Sequence, residues 1–219
     1  MILALETATK VCSVAFCDAD GTVHERRVER RGTHSEQLFL FIEELKEEHG
    51  FSIPELDAVL VSEGPGSYTG LRISASAVKG LLFQTEVPLY GINTLASFAM
   101  QGMQEQSDAT VIHSIIDARR VHVYHQTFEV HDGTLATDDE VEVMPIKALE
   151  NMLRGGDVLI GSGLDRIDEQ ARQKAVNFGP EFITARSLIA LHQNGFDTFY
   201  EQVDPESFEP KYYTSNQVN

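Results

Sequence analysis

Apolar positions in the first thirty residues fall in short runs parted by polar turns, the pattern of strands rather than of helix. The runs are Ile2–Leu5, Val11–Cys17 and Thr22–Val28. Asp20-Gly21 marks a tight hairpin turn between the second and third. Glu6-Thr7-Ala8-Thr9-Lys10 links the first two. The period then changes. Leu38, Phe41, Ile42 and Leu45 recur at i, i+3, i+4 and i+7, one face of an α-helix. Thr33 and Glu36 fit a capping box that would open this helix, and Gly50 closes it. Phe39 and Leu40 lie off the stripe. They make the helix either deeply buried or a face for a partner.

Ala58–Val61 reads as a buried strand running into a glycine-rich turn, and a helix follows from about Leu71 to Gln84. Leu89-Tyr90 is a short strand, and Asn93-Thr94 caps a further helix of about ten residues. Beyond it, Thr110–Ile116 and Val121–Val130 read as strands around Asp117-Ala118-Arg119-Arg120, with a hairpin signal at Asp132-Gly133. A helix from Pro145 to Leu153, a strand at Asp157–Ile160 ending in Gly161-Ser162-Gly163, and helices near 165–174 and 184–193 complete the series. Hairpins alternating with helices indicate an α/β protein in two lobes, 1–100 and 101–219, the final segment able to pack back on the first lobe.

Composition narrows the function. The 219 residues carry 17 Lys+Arg against 34 Asp+Glu, a net charge of −17. Residues 1–100 hold 14 acids against 8 bases and 101–219 hold 20 against 9, so neither half is a basic module. Unaided affinity for a phosphate backbone, which comes mainly from Lys and Arg, is not expected. The acidity serves solubility or the docking of a basic partner. No apolar run approaches a membrane span, and Met1–Glu6 lacks the basic region of a signal peptide. Two cysteines, Cys12 and Cys17, build no disulfide framework, so a reduced, cytoplasmic protein is expected.

Four stretches could carry chemistry. Gly64-Pro-Gly-Ser-Tyr-Thr-Gly70 lies between a strand and a helix, where free N–H groups could hold an anion or glycines could let strand pack on helix. It lacks Walker A and dinucleotide-binding spacing. Glu6–Lys10 could hold phosphate, with the carboxylate reaching Mg²⁺ through water, or be a polar turn. Asp117–Arg120 could clamp an anion, although a structural ion pair is the reading we prefer in so acidic a chain. Gly161–Gly163 reads as a tight turn. The eight histidines show no metal-ligand spacing, and no nucleophile–base pattern appears.

In this order and spacing the stretches resemble the TsaB (YeaZ) family of the bacterial machinery that makes threonylcarbamoyladenosine in tRNA. The resemblance rests on Gly64–Ile73, Ile2–Thr9, His34-Ser-Glu36 and Ile116–Arg120 with Val123-Tyr124. It implies an actin/Hsp70/sugar-kinase-like (ASKHA) fold with a βββαβα core. It also implies a non-catalytic partner of the transferase TsaD, working with the ATPase TsaE, homodimeric when alone, and meeting tRNA only through the complex.

The resemblance further implies a partner interface on the first two helices, for which we select His34, Leu38, Phe39, Phe41, Ile42, Leu45, Leu71, Ile73, Ala75 and Val78. No cofactor or metal is expected. Any remnant of anion or nucleotide binding would fall on Glu6, Thr7, Thr9, Gly64, Gly66, Ser67, Thr69, Gly70 and Arg72. Where ATP-using relatives of the fold carry Asp and Gly at the first hairpin, Glu6 and Ala8 stand here. Leu38 replaces the second histidine of the transferase's metal pair, and the terminal Pro210–Thr214 departs from the family's basic ending. The alternatives are an active ATPase or kinase of the same fold, a stand-alone homodimeric binding protein, and a peptidase, for which no motif speaks.

Overall fold

The computed structural model, which describes residues 1–213, pairs the three leading apolar runs as an antiparallel meander. These are β1 (Ile2–Glu6), β2 (Val11–Cys17) and β3 (Val23–Glu29). Helix α1 (His34–His49) follows, then β4 (Ala58–Gly64), α2 (Tyr68–Leu81) and β5 (Leu89–Asn93), giving the βββαβα order. The chain continues through α3 (Thr94–Glu105), β6 (Val111–Asp117), β7 (His122–His131), β8 (Thr134–Ala136), β9 (Glu142–Pro145) and α4 (Ile146–Met152). It ends with β10 (Val158–Gly161), α5 (Glu169–Arg172), β11 (Val176–Phe178), α6 (Arg186–Gln193) and β12 (Tyr200–Val203).

The chain divides into two units. The first comprises Met1–Thr94 and Thr184–Lys211, and the second begins at Leu95 and runs through Ile183. The division thus falls at Leu95, a few residues before the expected boundary, and Thr184–Lys211 is the segment that returns to the first unit. The reason is polar anchoring. Glu25 on β3 accepts hydrogen bonds from Ser13, Thr184 and Arg186, and Ser13 Oγ accepts from the Ala185 N–H at 2.8 Å. The returning segment is thus fixed to β2 and β3.

In the first unit the sheet order is β12-β5-β4-β1-β2-β3, with β1, β4 and β5 parallel. Strand β2 is buried at all seven positions. Cys12, Val14 and Phe16 join a core with Leu38, Ile42 and Leu45 of α1, while α6 packs against β1, β2 and β4. Cover on both faces explains why β2 is apolar on both faces apart from Ser13, whose hydroxyl is hydrogen-bonded. Each fully buried leucine here contributes roughly 2 kcal/mol. The Thr33–Glu36 capping box does not form, because the Thr33 hydroxyl donates to the Arg30 carbonyl at 3.2 Å. Gly50 ends α1 in the left-handed conformation at φ 67, as its place predicts.

The second unit is a sheet in the order β11-β10-β6-β7-β8, with β9 on β7. Gly102 lets α3 approach Val158, Ile112 and Ile160 so closely that a Cβ there would sit 3.3–3.5 Å from their methyls. The helix expected near 165–174 shrinks to the single turn of α5 and a 3₁₀ turn at Leu164–Arg166. No helix among the described residues is long and apolar enough to cross a membrane.

Candidate functional site

The tip between β1 and β2 and the turn between β4 and α2 meet directly. The Ser67 N–H donates to the Ala8 carbonyl at 2.6 Å, and the Thr7 hydroxyl donates to the Gly70 carbonyl at 2.9 Å. A Cβ on Gly66 would lie 2.6 Å from the Ala8 oxygen, and one on Gly70 would run into the Thr7 carbonyl. These glycines therefore clear space for the chain's own backbone. Ser67 caps α2 by accepting from the Gly70 N–H at 3.3 Å. Thr9 accepts from the Val11 N–H at 3.1 Å. Gly64, at φ 124, faces Lys211, whose N–H bonds the Glu63 carbonyl at 2.7 Å.

Glu6 is fully buried. Its carboxylate accepts from the Ala8 N–H at 2.7 Å and from the Ser62 hydroxyl. Burial pushes its pKa up to about 7, although the bonds from Ser62 and Ala8 pull the other way. An acid sealed in this way cannot hold a metal through water. Glu6, Thr7, Thr9, Gly64, Gly66, Ser67 and Gly70 come together as expected, but to close the tip. In this arrangement the polar groups of the tip bond to the chain itself. Thr69 and Arg72 lie elsewhere, exposed on α2.

A second region is built from α1 and α2. His34, Leu38, Phe41, Ile42 and Leu45 of α1, and Leu71, Ala75 and Val78 of α2, are buried within this unit. They lie beneath the surface of this unit. His34 is used differently, its Nε2 lying 3.0 Å from the Thr9 carbonyl and 3.2 Å from that of Val11. It ties the start of α1 to the closed tip. Phe39 and Ile73 remain on the surface. They border a groove of about 460 Å³ with Ser35, Tyr68, Thr69, Arg72, Ser76 and Ala77. Phe39 is 48% exposed, Leu40 48% and Tyr68 55%. The Arg72 guanidinium lies 4.2 Å above the Tyr68 ring, a cation–π pair that keeps both on the rim. Sequence reasoning found Phe39 and missed Tyr68, because a residue at a helix start has no periodic neighbours to mark its face.

The second unit has its own hairpin tip, between β6 and β7, beside the turn that follows β10. A Cβ on Gly163 would lie 3.2 Å from the Asp117 Cβ. Asp117 Oδ1 accepts from the Arg119 N–H at 2.8 Å and from Arg166 at 2.7 Å. The ion pair at this motif is not the one expected, since Asp117 pairs with Arg166 and no ion pair involves Arg119 or Arg120 among the described residues. Gly161–Gly163 is a tight turn, with the Ser162 N–H bonded to the Ile115 carbonyl at 3.1 Å. Also in this unit, His113 Nδ1 sits 3.1 Å from His125 Nε2, and His113 Nε2 sits 3.4 Å from Asp157. Burial pushes both histidines down, His125 to about 3, so the pair is a neutral structural bond. Twelve residues apart on two strands, they leave no signal in the sequence. Among the described residues no three metal-ligating side chains converge. Burial, then the Glu6 charge, pushes the Cys12 thiol up to about 12, in keeping with an inert thiol.

Comparison with known proteins follows the same outline. The family model for TsaD, tRNA N6-adenosine threonylcarbamoyltransferase, matches residues 25–192. The tRNA threonylcarbamoyladenosine biosynthesis protein TsaB of Escherichia coli is 32% identical over 166 residues, covering 74% of this chain and 71% of that one. TsaB of Haemophilus influenzae is 34% identical over 123 residues, covering 56% and 51%. The solved structure of YeaZ from Pseudomonas aeruginosa superposes with a TM-score of 0.79 at 25% identity, covering 97% of this chain and 99% of that one.

Proposed function

We propose, from the premise that the chain belongs to the TsaB (YeaZ) family of tRNA threonylcarbamoyladenosine biosynthesis proteins, that it pairs with the transferase TsaD through the α1–α2 groove and holds that enzyme in an active form. The chain is the non-catalytic member of the pair. Its buried Glu6 and closed first tip agree with that role, since neither offers a reacting group to solvent.

The observation that carries the proposal is the groove itself. The core beneath α1 and α2 is already complete without Phe39, Leu40 and Tyr68, which stay about half exposed. Of these, Phe39 and Tyr68 line the groove beside a cation–π pair, the composition of an interface centre. The transferase family model matches this chain from residue 25 through both helices. A partner with its own version of the helix pair can therefore meet this one about a pseudo-two-fold axis, the simplest self-complementary arrangement. A second copy of the chain can take the same place when the partner is absent. The ATPase TsaE would then act on the assembled pair.

The test is size-exclusion with light scattering against the TsaD of the same genome. A heterodimer is expected with the native chain. Phe39→Asp should weaken it at least tenfold, about 1.4 kcal/mol, by burying an unpaired carboxylate at the centre. Met152→Asp, at an exposed apolar position of the second unit, should leave it intact. Pairing that survives Phe39→Asp moves the interface off this groove, and absence of any pairing removes the scaffold role.

A further inference from the structure

The β6–β7 tip carries a feature that pairing through α1 and α2 does not use. Arg119 and Arg120 both occupy the left-handed backbone region, at φ 70 and φ 53. The left-handed region favours Gly and Asn, and a side chain with a Cβ is strained there. The surrounding structure holds them there. Asp117 accepts from the Arg119 N–H, Arg166 bridges Asp117 and the Arg120 carbonyl, and the His122 N–H bonds the Arg119 carbonyl at 3.1 Å.

Both side chains are exposed, and among the described residues neither guanidinium has a carboxylate partner. Arg26, Arg186 and Lys211 each hold a carboxylate. At this tip the acid is taken by a third arginine, so positive charge is left facing outward.

We propose that the Arg119–Arg120 tip docks on the phosphodiester backbone of RNA, each guanidinium taking one phosphate. A guanidinium presents paired N–H donors that match phosphate oxygens. Size selects phosphate over an acidic protein surface. A stable protein interface needs on the order of 1,000 Å², which a two-residue tip does not supply, whereas phosphate contacts are local and additive. The acidic balance of the chain then fits two orienting contacts, with most of the affinity supplied by the partner. The inference rests on the tRNA-modification reading above.

The experiment uses the complex of this chain with TsaD and the substrate tRNA, followed by fluorescence anisotropy across a salt series. Arg119→Ala/Arg120→Ala should weaken binding about tenfold and flatten the slope of log K on log salt by about 1.5, the release expected for two phosphates. Arg119→Lys/Arg120→Lys, which keeps the charge, should restore the slope. Lys147→Ala, removing a base paired with Glu150, should change neither. Unchanged affinity and slope in the alanine variant overturn the proposal, as does a native complex that does not bind tRNA. Loss of assembly with the RNA slope unchanged also overturns it, in favour of a protein contact. If the native chains do not assemble at all, the pairing reading fails instead, and light scattering separates the two failures.

Discussion

The tip between β1 and β2 and the tip between β6 and β7 occupy corresponding places in their units. Each joins the first two strands, and each is backed by a glycine turn that follows a parallel strand, β4 in one case and β10 in the other. In the first, Thr7 and Ala8 are buried and the turn bonds to them through backbone groups. In the second, the glycine turn backs only Asp117, and the residues beyond it stand in solvent. One acid is sealed and pushed toward neutrality, and the other is neutralised by Arg166. Close approach by glycine thus sets where a tip stands. What the tip can do depends on whether its polar groups are spent on the chain itself.

The sharpest way to break this comparison is to put a Cβ into the closed tip. Gly70→Ala would drive a methyl into the Thr7 carbonyl and should cost about 3 kcal/mol or more, seen as a large drop in the thermal melt. Gly80→Ala, in the same helix with open space around it, should raise stability by about 0.5–1 kcal/mol.

Next in size is Glu6. Its pKa in the fold is about 7, against 4.5 for the free side chain. Between those values the folded state binds a proton that the unfolded state has lost. Its contribution to stability is therefore greatest below about pH 4.5, falls as pH rises to about 7, and is level above. Glu6→Gln keeps the acceptor for Ala8 and removes the titration. It should melt higher than the native chain at pH 8 by about 1–3 kcal/mol, and the gap should close at pH 5. A gap independent of pH would mean that the tip is open to water.

The smallest effect belongs to the second tip. Arg166→Ala breaks an ion pair whose side chains are about one-third exposed and should cost about 0.5–1 kcal/mol. It should also free the Arg119 and Arg120 backbone, visible as faster amide exchange at His122.

The elements with strong periods were legible. Leu38, Phe41, Ile42 and Leu45 mark α1, and the mainly apolar run Val11–Cys17 marks a strand covered on both faces. Strands β8, β9, β11 and β12 were not legible. They are three or four residues long, and β12, Tyr-Glu-Gln-Val, is an edge strand defined by its pairing with β5. The glycine turn was legible, but its two uses, close packing and anion binding, were not separable in the sequence. A glycine that admits a ligand and one that admits its own chain make the same demand on the sequence, the absence of a Cβ. The base for Asp117 lies 49 residues away, beyond the reach of any local pattern. Of the atypical Pro210–Thr214 segment, Lys211 pairs with Glu63 and Glu201, and Thr214 lies outside the described residues.

The return of Thr184–Lys211 to the first unit has a consequence for synthesis. A ribosome makes Met1–Thr94 before the rest of its unit, and that portion lacks α6, the β12 edge and the Lys211 closure against Glu63 until Thr184–Lys211 emerges. The stretch from Leu95 to Ile183 is contiguous and can condense while the earlier portion still waits. The half that is translated first is thus the half that is finished last, and its β5 edge is the one a chaperone would have to shield during elongation.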